Sequence, residues 1–461
     1  MSVVCGLECV VCLGFGRWAW KRLTYVGSYD SESWPPASDE EIEPIPRLCR
    51  AILAVYEDDL SHPRFAPPSG YGMNPQWLVK RVPYEETEGR CPPYLIYADH
   101  DRREIILAVR GLNLSRESDY KVLLDNSLGK QMFDGGYVHH GLLKAAEFIL
   151  KRESETLRRM VVELGDEYKL VFAGHSLGSG VVALMTVIVV NYRDRFGGIA
   201  RERIRCYAIA PARCMSLNLA VKYADVIDSV VLQDDFLPRT PTPLEHIFGS
   251  IFCLPCLLFL VCLRDTFIPE SRKLKDPRRL YAPGRMYHII ERKICRCGRF
   301  PPEVRTAIPV EGRFEHIVLS CNATSDHALL WIEREAQKIV DIGKEDAAET
   351  ASAPAQQKMK RAQTLASEYK GALERAATLN VPHATTPSEP TSEDVNSGPS
   401  DNPTEEITKP PHSDNKNGAA ANCDSKSSGR TNWDELVEKL FTRNETGKLV
   451  VKKDISEIVG Q

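Results

Sequence analysis

One short segment of the chain combines a nucleophilic side chain with unusually small neighbours. Residues 170–180 read LVFAGHSLGSG, so that Ser176 lies between Gly174 and Gly178 in a G-x-S-x-G pattern. In a sharp turn from a strand to a helix, such a serine adopts a strained backbone conformation and its neighbours must be very small. Chains tolerate this strain mainly where it presents a reactive group. The segment therefore predicts a nucleophile elbow with the two glycines as its packing residues.

A serine hydroxyl near neutral pH needs a histidine to accept its proton and a carboxylate to orient that histidine. In folds with this elbow, the chain order is serine, then acid, then histidine. The segment VVLQDDFLPRTP places Asp235 directly after an apolar strand pattern, and acids at strand ends point toward the mouth of such sheets. Asp234 stays an alternative, because alternation along the strand leaves open which carboxylate faces inward.

Several histidines follow the acid, and their surroundings distinguish them. Those that qualify by order are His246, His288, His316, His327 and the histidines of the tail. The first lies close to an apolar segment, and the next two fall inside strand patterns. His327, in CNATSDHALLWIERE, lies in a loop before a helical pattern, from which an imidazole can reach the elbow. We therefore predict Ser176, Asp235 and His327 as the catalytic residues.

The oxyanion of an acyl-transfer intermediate needs two preorganised N–H donors. Leu177, next after the serine, supplies one at the positive end of the following helix. The other comes from the loop after an early strand, where ILAVRGLNLSRESDY contains Gly111 and Leu112. Because Gly111 lets the backbone approach the substrate closely, we predict the N–H of Leu112 as the second donor. Without the elbow, these residues would indicate only an ordinary turn at the end of a strand.

The elements around these residues alternate between strand and helix patterns. Residues 169–173 predict a short buried strand before the serine, and residues 181–190 predict the apolar body of a helix after it. Further strand patterns cover residues 94–97, 104–109, 204–209, 229–232, 286–290 and 316–319, and residues 141–164 predict a long helix. Alternation around a G-x-S-x-G elbow predicts an α/β-hydrolase fold, with a mostly parallel central sheet flanked by helices.

Motifs spread along the chain carry a family resemblance. They are R-G at 110–111 followed by Asp119 and Asp125, V-H-H-G at 138–141, G-H-S-L-G-S-G at the elbow, D-D-F-L-P-R at 234–239, D-H at 326–327 and CGLECVVCLGFGRWAWKR near the start. In these motifs the chain resembles the class 3 lipases, more narrowly the plant branch of the sn-1-specific mono- and diacylglycerol lipases with an N-terminal extension. The resemblance covers roughly the first three quarters of the chain.

The resemblance implies hydrolysis of an acyl ester of a neutral glyceride, with Asp235 as the acid, His327 as the base and no metal or organic cofactor. One residue departs from the family pattern. Many relatives follow R-G with Thr or Ser, whose hydroxyl assists the oxyanion, whereas this chain has Leu112. The change removes a side-chain donor, which implies weaker stabilisation of the transition state or compensation elsewhere.

Two groups of alternatives stay open at this point. A phospholipase A1 or a carboxylesterase would use the same machinery, and the elbow residues do not separate them. The second alternative belongs to a different class of protein. The Leu112 replacement and the long polar tail would also suit a catalytically inactive relative that acts as a membrane-associated interaction protein. An intact set of serine, acid and histidine favours the enzyme.

Composition limits the partners and the compartment of the protein. The chain has 461 residues, a net charge of −4 and 43% hydrophobic residues, which allows a substantial core and gives no basic field for nucleic acid. Its 14 cysteines occur without a recognisable cleavable signal at the start, which favours free thiols in a reducing compartment. We therefore expect a cytoplasmic protein that is peripherally associated with membranes.

Composition also divides the chain into parts. We expect a Cys- and Trp-rich membrane-proximal extension at residues 1–38, the hydrolase domain at 39–342 with an apolar insert at 245–266, a helical linker at 343–380, a disordered segment at 381–430 and a short helical segment at 431–461. In the last part, residues 433–441 (WDELVEKLF) have apolar residues at helical spacing. Residues 359–379 form a basic, partly amphipathic helix pattern, for which calmodulin binding and a solvated helix are the alternatives.

Two segments are suited to meet a membrane. Residues 247–263 (IFGSIFCLPCLLFLVCL) are at the lower limit for a span and contain a proline, so that a membrane-facing lid, a re-entrant loop and a buried core helix all stay open. Residues 1–22 place tryptophans beside a basic pair, as at a headgroup interface. An acyl chain on a cysteine of either segment would add hydrophobic anchoring.

Cysteine spacing also raises the question of metal binding. The C-x-x-x-C-x-x-C motif at residues 5–12 matches an iron–sulfur motif of radical enzymes, but too little chain precedes it for the barrel strand that such a loop follows. The C-L-P-C motif at 253–256 lies within an apolar run, and the C-R-C motif at 295–297 is too closely spaced for a zinc knuckle. We predict no metal site and no cofactor.

Overall fold

The computed structural model describes residues 27–68, 70–113, 116–125, 132–240, 270–276, 278–292, 301–315, 318, 320, 322–349, 354–381, 441–443 and 449–451. They belong to two compact units, Met1–Thr386 and Pro387–Gln461. Across these described residues, no helix combines the length and apolar character needed to cross a bilayer.

An eight-stranded sheet lies at the centre of the first unit, and its spatial order follows the chain order. Its strands are β1 Leu78–Val82, β2 Tyr94–Asp99, β3 Glu104–Val109, β4 Lys169–His175, β5 Ile204–Ile209, β6 Ile227–Leu232, β7 Arg285–Ile290 and β8 Glu303–Ala307. The pairs from β3–β4 through β6–β7 are parallel. The outer pairs β1–β2, β2–β3 and β7–β8 are antiparallel. This mostly parallel sheet confirms the predicted fold class.

Helices cover both faces of the sheet. Among the described residues, the α-helices of the first unit are α1 Asp39–Ile42, α2 Pro44–Tyr56, α3 Glu117–Leu124, α4 His140–Leu164, α5 Leu177–Asn191, α6 Leu217–Lys222, α7 Glu270–Lys275, α8 Leu329–Glu349 and α9 Pro354–Thr378. Apolar residues of α4 and α5 lie in the core on one face, and those of α2 and α8 lie in the core on the other.

Strand β3 shows why residues 105–109 are an uninterrupted apolar run. Ile105 and Leu107 point into the core shared with α4 and α5, whereas Ile106 and Ala108 point into the core shared with α2 and α8. All four are buried. A strand with two buried faces has no position for a polar alternation, so the run is the expected pattern of a central strand.

Most predicted elements occur where the patterns place them. The run before the serine becomes β4, the run after it becomes α5, and the long helix pattern becomes α4. The predicted last strand at residues 316–319 is wrong, because β8 pairs with β7 instead and Val318 lies outside any strand. In β8 the partly exposed Glu303 and Arg305 alternate with buried residues, and these charges concealed an edge strand.

The predicted boundary at residue 38 does not separate the described part of the extension from the body. The Thr306 N–H donates to the Pro35 carbonyl at 2.9 Å, and the Ala37 N–H donates to the Val304 carbonyl at 2.9 Å. Trp34 is buried, with its ring centroid 5.5 Å from that of Phe314. Residues 35–37 therefore pair with the edge strand β8, whereas residues 1–26 lie outside the described residues.

The predicted linker at 343–380 is helical, but it is part of the first unit. Helix α8 continues through the predicted boundary at 342 to Glu349, and α9 packs back onto the body. The apolar face of α9 is buried at Ala372, Leu373 and Ala376. Arg361 forms an ion pair with Glu41 at 2.8 Å. A helix pattern alone does not show whether its apolar stripe finds a partner in the same chain.

In the second unit, Phe441–Arg443 and Leu449–Val451 form an antiparallel two-stranded ladder. The helical prediction for 431–461 is therefore wrong at these residues, because β-branched and aromatic side chains favour strands and an Asn-Glu-Thr-Gly sequence separates the two runs. Residues 433–440 lie outside the described residues. The predicted disordered segment at 381–430 also lies outside the described residues, except for Val381. The apolar insert at 245–266 lies outside them entirely.

Candidate active site

Ser176 lies at the turn from β4 to α5 and has a strained backbone. Its φ is 53° and its ψ is −117°, a region that residues with a Cβ rarely occupy and that costs about 1–3 kcal/mol. Its N–H donates to the Ile209 carbonyl at 3.0 Å, which ties the turn to the end of β5. Ser176 is only 9% exposed. The surrounding structure thus enforces one orientation of the serine.

The two glycines of the elbow are required by close backbone approach. A Cβ on Gly174 would lie 2.4 Å from the Gly178 carbonyl oxygen, and a Cβ on Gly178 would lie 2.3 Å from the Arg110 carbonyl oxygen. These neighbours are backbone atoms and cannot rotate away. The strand, the helix and the loop after β3 therefore meet at contacts that only glycine allows.

The structure brings the three predicted catalytic side chains together in one hydrogen-bonded chain. Ser176 Oγ lies 2.9 Å from His327 Nε2. His327 Nδ1 lies 2.9 Å from Asp235 Oδ1, although the two residues are 92 positions apart. Asp235 is completely buried, whereas the His327 side chain is 16% exposed. In this arrangement His327 donates from Nδ1 to the carboxylate, and its Nε2 accepts the hydrogen bond of the serine hydroxyl.

The choice between the two adjacent aspartates is made by the loop after β6. Gln233 has a left-handed backbone with φ 37°, which turns the chain before both carboxylates. Asp235 Oδ1 then faces His327 and accepts the Leu237 N–H at 3.0 Å. Asp234 faces away, where its Oδ1 accepts the Gly27 N–H at 3.0 Å.

The rejected histidines have other environments or lie outside the described residues. His288 is buried in β7, with Nδ1 2.7 Å from Ser31 Oγ and Nε2 2.9 Å from the Gln233 carbonyl oxygen. Burial lowers the pKa of His288 to about 3, so this imidazole is neutral and structural. His246 and His316 are not among the described residues.

Sequence reasoning missed a second hydrogen-bonded chain beside the first. Tyr56 Oη accepts the Gly111 N–H at 2.7 Å and lies 2.8 Å from His175 Nδ1. His175 Nε2 lies 2.9 Å from the His327 carbonyl oxygen. Burial, followed by the neighbouring His327, lowers the pKa of His175 to about 3. A neutral His175 therefore accepts from the tyrosine hydroxyl and donates to the backbone of His327.

This second chain joins the loop of Gly111, the elbow and the loop of His327. The position of His175 inside G-H-S-L-G was visible in the sequence, but nothing in the pattern linked it to Tyr56, at the end of α2. Burial raises the pKa of Tyr56 to about 12, so that its hydroxyl keeps the proton that it donates.

The loop that carries the predicted oxyanion donor is fixed by its neighbours. The Arg110 guanidinium lies 4.4 Å from the Tyr56 ring centroid and 5.2 Å from that of Tyr84, within the range of cation–π attraction. Asp119 accepts the Asn113 N–H and the Tyr84 hydroxyl, both at 2.8 Å. Burial raises the pKa of Asp119.

The backbone of this loop leaves one N–H for a ligand. The Gly111 N–H is already bonded to Tyr56, whereas no described residue accepts a hydrogen bond from the Leu112 N–H. Leu177 is the first residue of α5, where an N–H has no partner within the helix. The roles of Leu112 and Leu177 as oxyanion donors stay predictions that this arrangement accommodates.

Two other residues of the matching motifs fix the start of α4. Asp125 forms an ion pair with Lys144 at 2.9 Å and its carbonyl accepts the Gly141 N–H at 2.6 Å. His139 Nδ1 accepts the Leu142 N–H at 3.3 Å and so caps the helix. Within the described ranges, no group of three or more His, Cys, Asp or Glu side chains is arranged to bind a metal ion.

Comparisons with known proteins identify the family that this chain resembles. The family model for Lipase (class 3) matches residues 106–245, and the model for the Lipase 3 N-terminal region matches residues 6–73. Diacylglycerol lipase-beta of Mus musculus is 28% identical over 155 residues, 32% of this chain and 21% of that protein. Diacylglycerol lipase-alpha of Homo sapiens is 21% identical over 292 residues, 54% of this chain and 27% of that protein.

The chain thus spans about a quarter of the length of the curated relatives it matches. Among solved structures, a lipase from Rhizopus microsporus var. chinensis aligns with a TM-score of 0.42 at 14% identity, covering 63% of this chain and 87% of that one. The strand order and the elbow geometry described above define the fold independently of that alignment.

Proposed function

Because the chain belongs to the class 3 lipases, we propose that it is a serine hydrolase that cleaves acyl ester bonds of glycerides. The observation that carries the proposal is the hydrogen-bonded chain from Ser176 through His327 to Asp235, with a distance of 2.9 Å at each step. The strained elbow supports it, since strain of this kind persists mainly at functional sites. Membership of the plant branch stays a prediction.

In the proposed mechanism, each step of acyl transfer is assigned to one of these residues. Ser176 Oγ attacks the ester carbonyl carbon, and its proton passes to His327 Nε2 while Asp235 stabilises the resulting imidazolium. The oxyanion is bound by the N–H groups of Leu112 and Leu177. When the intermediate collapses, the carbon–oxygen bond to the alcohol breaks and the alcohol takes the proton from His327. Water then attacks the acyl-serine ester in the same way and releases the fatty acid.

The substrate class follows from the family and the relatives together. The two relatives are named as diacylglycerol lipases, and we propose mono- and diacylglycerols derived from membranes as the substrates of this chain. A phospholipase A1 or a carboxylesterase activity would use the same three residues. The alternative of an inactive interaction protein rests on the long polar tail and on Leu112, which lacks the side-chain hydroxyl of Thr or Ser.

Such substrates are dissolved in membranes, so we also propose that the protein docks on a bilayer through residues 1–22 and 247–263. Both segments lie outside the described residues, and their tryptophan, basic and apolar composition supports the proposal. Calmodulin binding by residues 359–379 stays a prediction. It would require the helix to leave the body, because Ala372, Leu373 and Ala376 are buried there.

The test is covalent labelling of the full chain with a fluorophosphonate, followed by hydrolysis assays. We expect labelling of the wild type and of Ser61→Ala, a control at an exposed serine, and none of Ser176→Ala. Labelling that persists in Ser176→Ala would place the nucleophile elsewhere. A wild type that neither reacts nor hydrolyses any ester would favour the inactive relative.

The assays then compare diacylglycerol, monoacylglycerol and phosphatidylcholine in liposomes with a short water-soluble ester. Faster release of fatty acid from the glycerides than from phosphatidylcholine is expected. Deletion of residues 252–261 should abolish hydrolysis in liposomes and spare the soluble ester. If both activities persist, this segment does not dock the protein.

A further inference from the structure

The acid and the base of the proposed triad follow two other aspartates that touch each other. Asp234 precedes Asp235, Asp326 precedes His327, and both preceding aspartates are buried. The Asp234 N–H donates to Asp326 Oδ2 at 3.0 Å across 92 residues of chain. The loop of the acid and the loop of the base therefore meet at this pair.

A single guanidinium bridges the two loops. Arg292 Nη2 forms a close hydrogen-bonded ion pair with Asp326 Oδ2 and lies 3.7 Å from Asp234 Oδ2. Arg292 Nη1 pairs closely with Glu291. The Arg292 side chain is 11% exposed, and ion pairs are screened less at such depth than at the surface.

Arg292 is itself anchored to the residue before Asp234. Its N–H donates to Gln233 Oε1 at 3.1 Å, and Gln233 Nε2 donates to the Arg292 carbonyl at 3.1 Å. The Glu291 N–H also donates to Gln233 Oε1 at 3.0 Å. The Gln233 amide thus fixes the backbone of the two residues that follow β7 and directs the arginine toward the junction of the loops.

We propose that Arg292 is a positioning residue that keeps the Asp235 loop and the His327 loop together, so that the imidazole stays within reach of both partners. The inference rests on the proposed function of the triad. Arg292 acts through Asp234 and Asp326, the neighbours of the acid and the base. Without the guanidinium, two buried carboxyl groups would face each other with no cation between them, and wherever both are ionised their repulsion would separate the loops.

The charged groups around Asp326 act on its carboxyl group in opposite directions. The charged groups that face it are Arg292 and Asp234, with Glu291 on the far side of the guanidinium. Burial raises the pKa of Asp326 to about 7, although Arg292 and the Asp234 N–H act in the opposite direction. Among the described residues, Arg292 is therefore the cation that offsets the charge of Asp326 beside Asp234.

The test compares Arg292→Gln with Arg285→Gln, a matched control at the first residue of β7, the strand that precedes Arg292. Arg285 is buried at the other end of β7 and pairs with Glu368 at 2.8 Å. For Arg292→Gln, we expect kcat for a soluble ester and the fluorophosphonate labelling rate to fall about 10- to 100-fold with little change in KM, because displacing the base by about 1 Å costs on the order of 10²-fold. Arg285→Gln should stay within about twofold of wild type, since its pair does not touch either loop.

Two further variants separate positioning from general damage to the fold. Arg292→Lys keeps the charge without the two-pronged geometry and should have an intermediate rate. The double variant Arg292→Gln with Asp326→Asn removes the repulsion and should recover much of the rate lost in Arg292→Gln. These two variants also carry the test if Arg292→Gln does not fold.

A readout without turnover keeps this inference distinct from the proposed function. The proton between His327 Nδ1 and Asp235 should give a low-field NMR signal in wild type and Arg285→Gln that is lost in Arg292→Gln. If wild type does not react with the fluorophosphonate, but its NMR signal is kept in Arg285→Gln and lost in Arg292→Gln, the hydrolase function is refuted and the positioning role is supported. Three results would overturn the positioning role. They are a wild-type rate and an intact NMR signal in Arg292→Gln, a loss of rate in Arg285→Gln as large as that in Arg292→Gln, and no recovery of the rate in the double variant.

Discussion

Tyr56→Phe removes one hydroxyl that joins three parts of the active site. The hydroxyl oxygen accepts the Gly111 N–H at 2.7 Å and lies 2.8 Å from His175 Nδ1. The phenylalanine ring fills the same space and keeps its contact with Arg110, whose guanidinium lies 4.4 Å from the ring centroid. The substitution therefore tests the hydrogen bonds with little change in packing.

The magnitude follows from the two groups left without a partner. A buried polar group that loses its hydrogen bond costs about 1–3 kcal/mol, so that the Gly111 N–H and His175 Nδ1 together predict a loss of about 2–6 kcal/mol. Activity should fall as well. The Gly111 loop carries the predicted oxyanion donor Leu112, and removing one such donor costs about 10²–10³-fold in kcat, so that a displaced donor predicts a loss of about 10- to 100-fold.

The assay combines denaturant unfolding with the rate of fluorophosphonate labelling, and Tyr369→Phe is the control. The Tyr369 hydroxyl donates to the Lys222 carbonyl at 2.7 Å, on α9 and away from the triad. We expect a loss of about 1 kcal/mol and unchanged labelling for Tyr369→Phe, since it deletes one hydrogen bond. If Tyr56→Phe unfolds and reacts like wild type, the second hydrogen-bonded chain does not support the site.

Two further predictions concern the elbow and the junction of the loops. Gly178→Ala places a Cβ 2.3 Å from the Arg110 carbonyl oxygen and should lower the free energy of unfolding by about 3 kcal/mol or more. The control is Gly371→Ala, where only the end of a flexible arginine lies near the new Cβ, and better helix propensity should raise the free energy of unfolding by about 0.5–1 kcal/mol. Thermal denaturation measures both variants, and equal melting temperatures would contradict the close-approach argument. The pKa of Asp326 is raised to about 7 from its usual 3.8, so the folded state binds a proton that the unfolded state has released between these pH values. The stability of wild type relative to Asp326→Asn should therefore fall as pH rises from about 4 to about 7 and stay constant above pH 7. A difference in melting temperature that does not vary with pH would contradict the raised pKa.

The sequence determined the features that depend on short stretches of chain. The elbow is local, because a strand, a tight turn and a helix require small residues at fixed positions around Ser176, and G-x-S-x-G records that requirement. The order of serine, acid and histidine, together with the loop position of His327, limited the remaining choices. The sheet was likewise predictable where both faces of a strand are buried, since such strands are continuous apolar runs.

Only the tertiary structure decided what depends on side-chain direction and on contacts between distant segments. Alternation could not distinguish Asp234 from Asp235, because the left-handed turn at Gln233 (φ 37°) resets the direction after the strand. The links from Tyr56 to Gly111 and from Arg292 to Asp326 join residues that are 55 and 34 positions apart. Such polar contacts form only after the sheet has assembled, because a single donor or acceptor produces no periodic pattern in the chain.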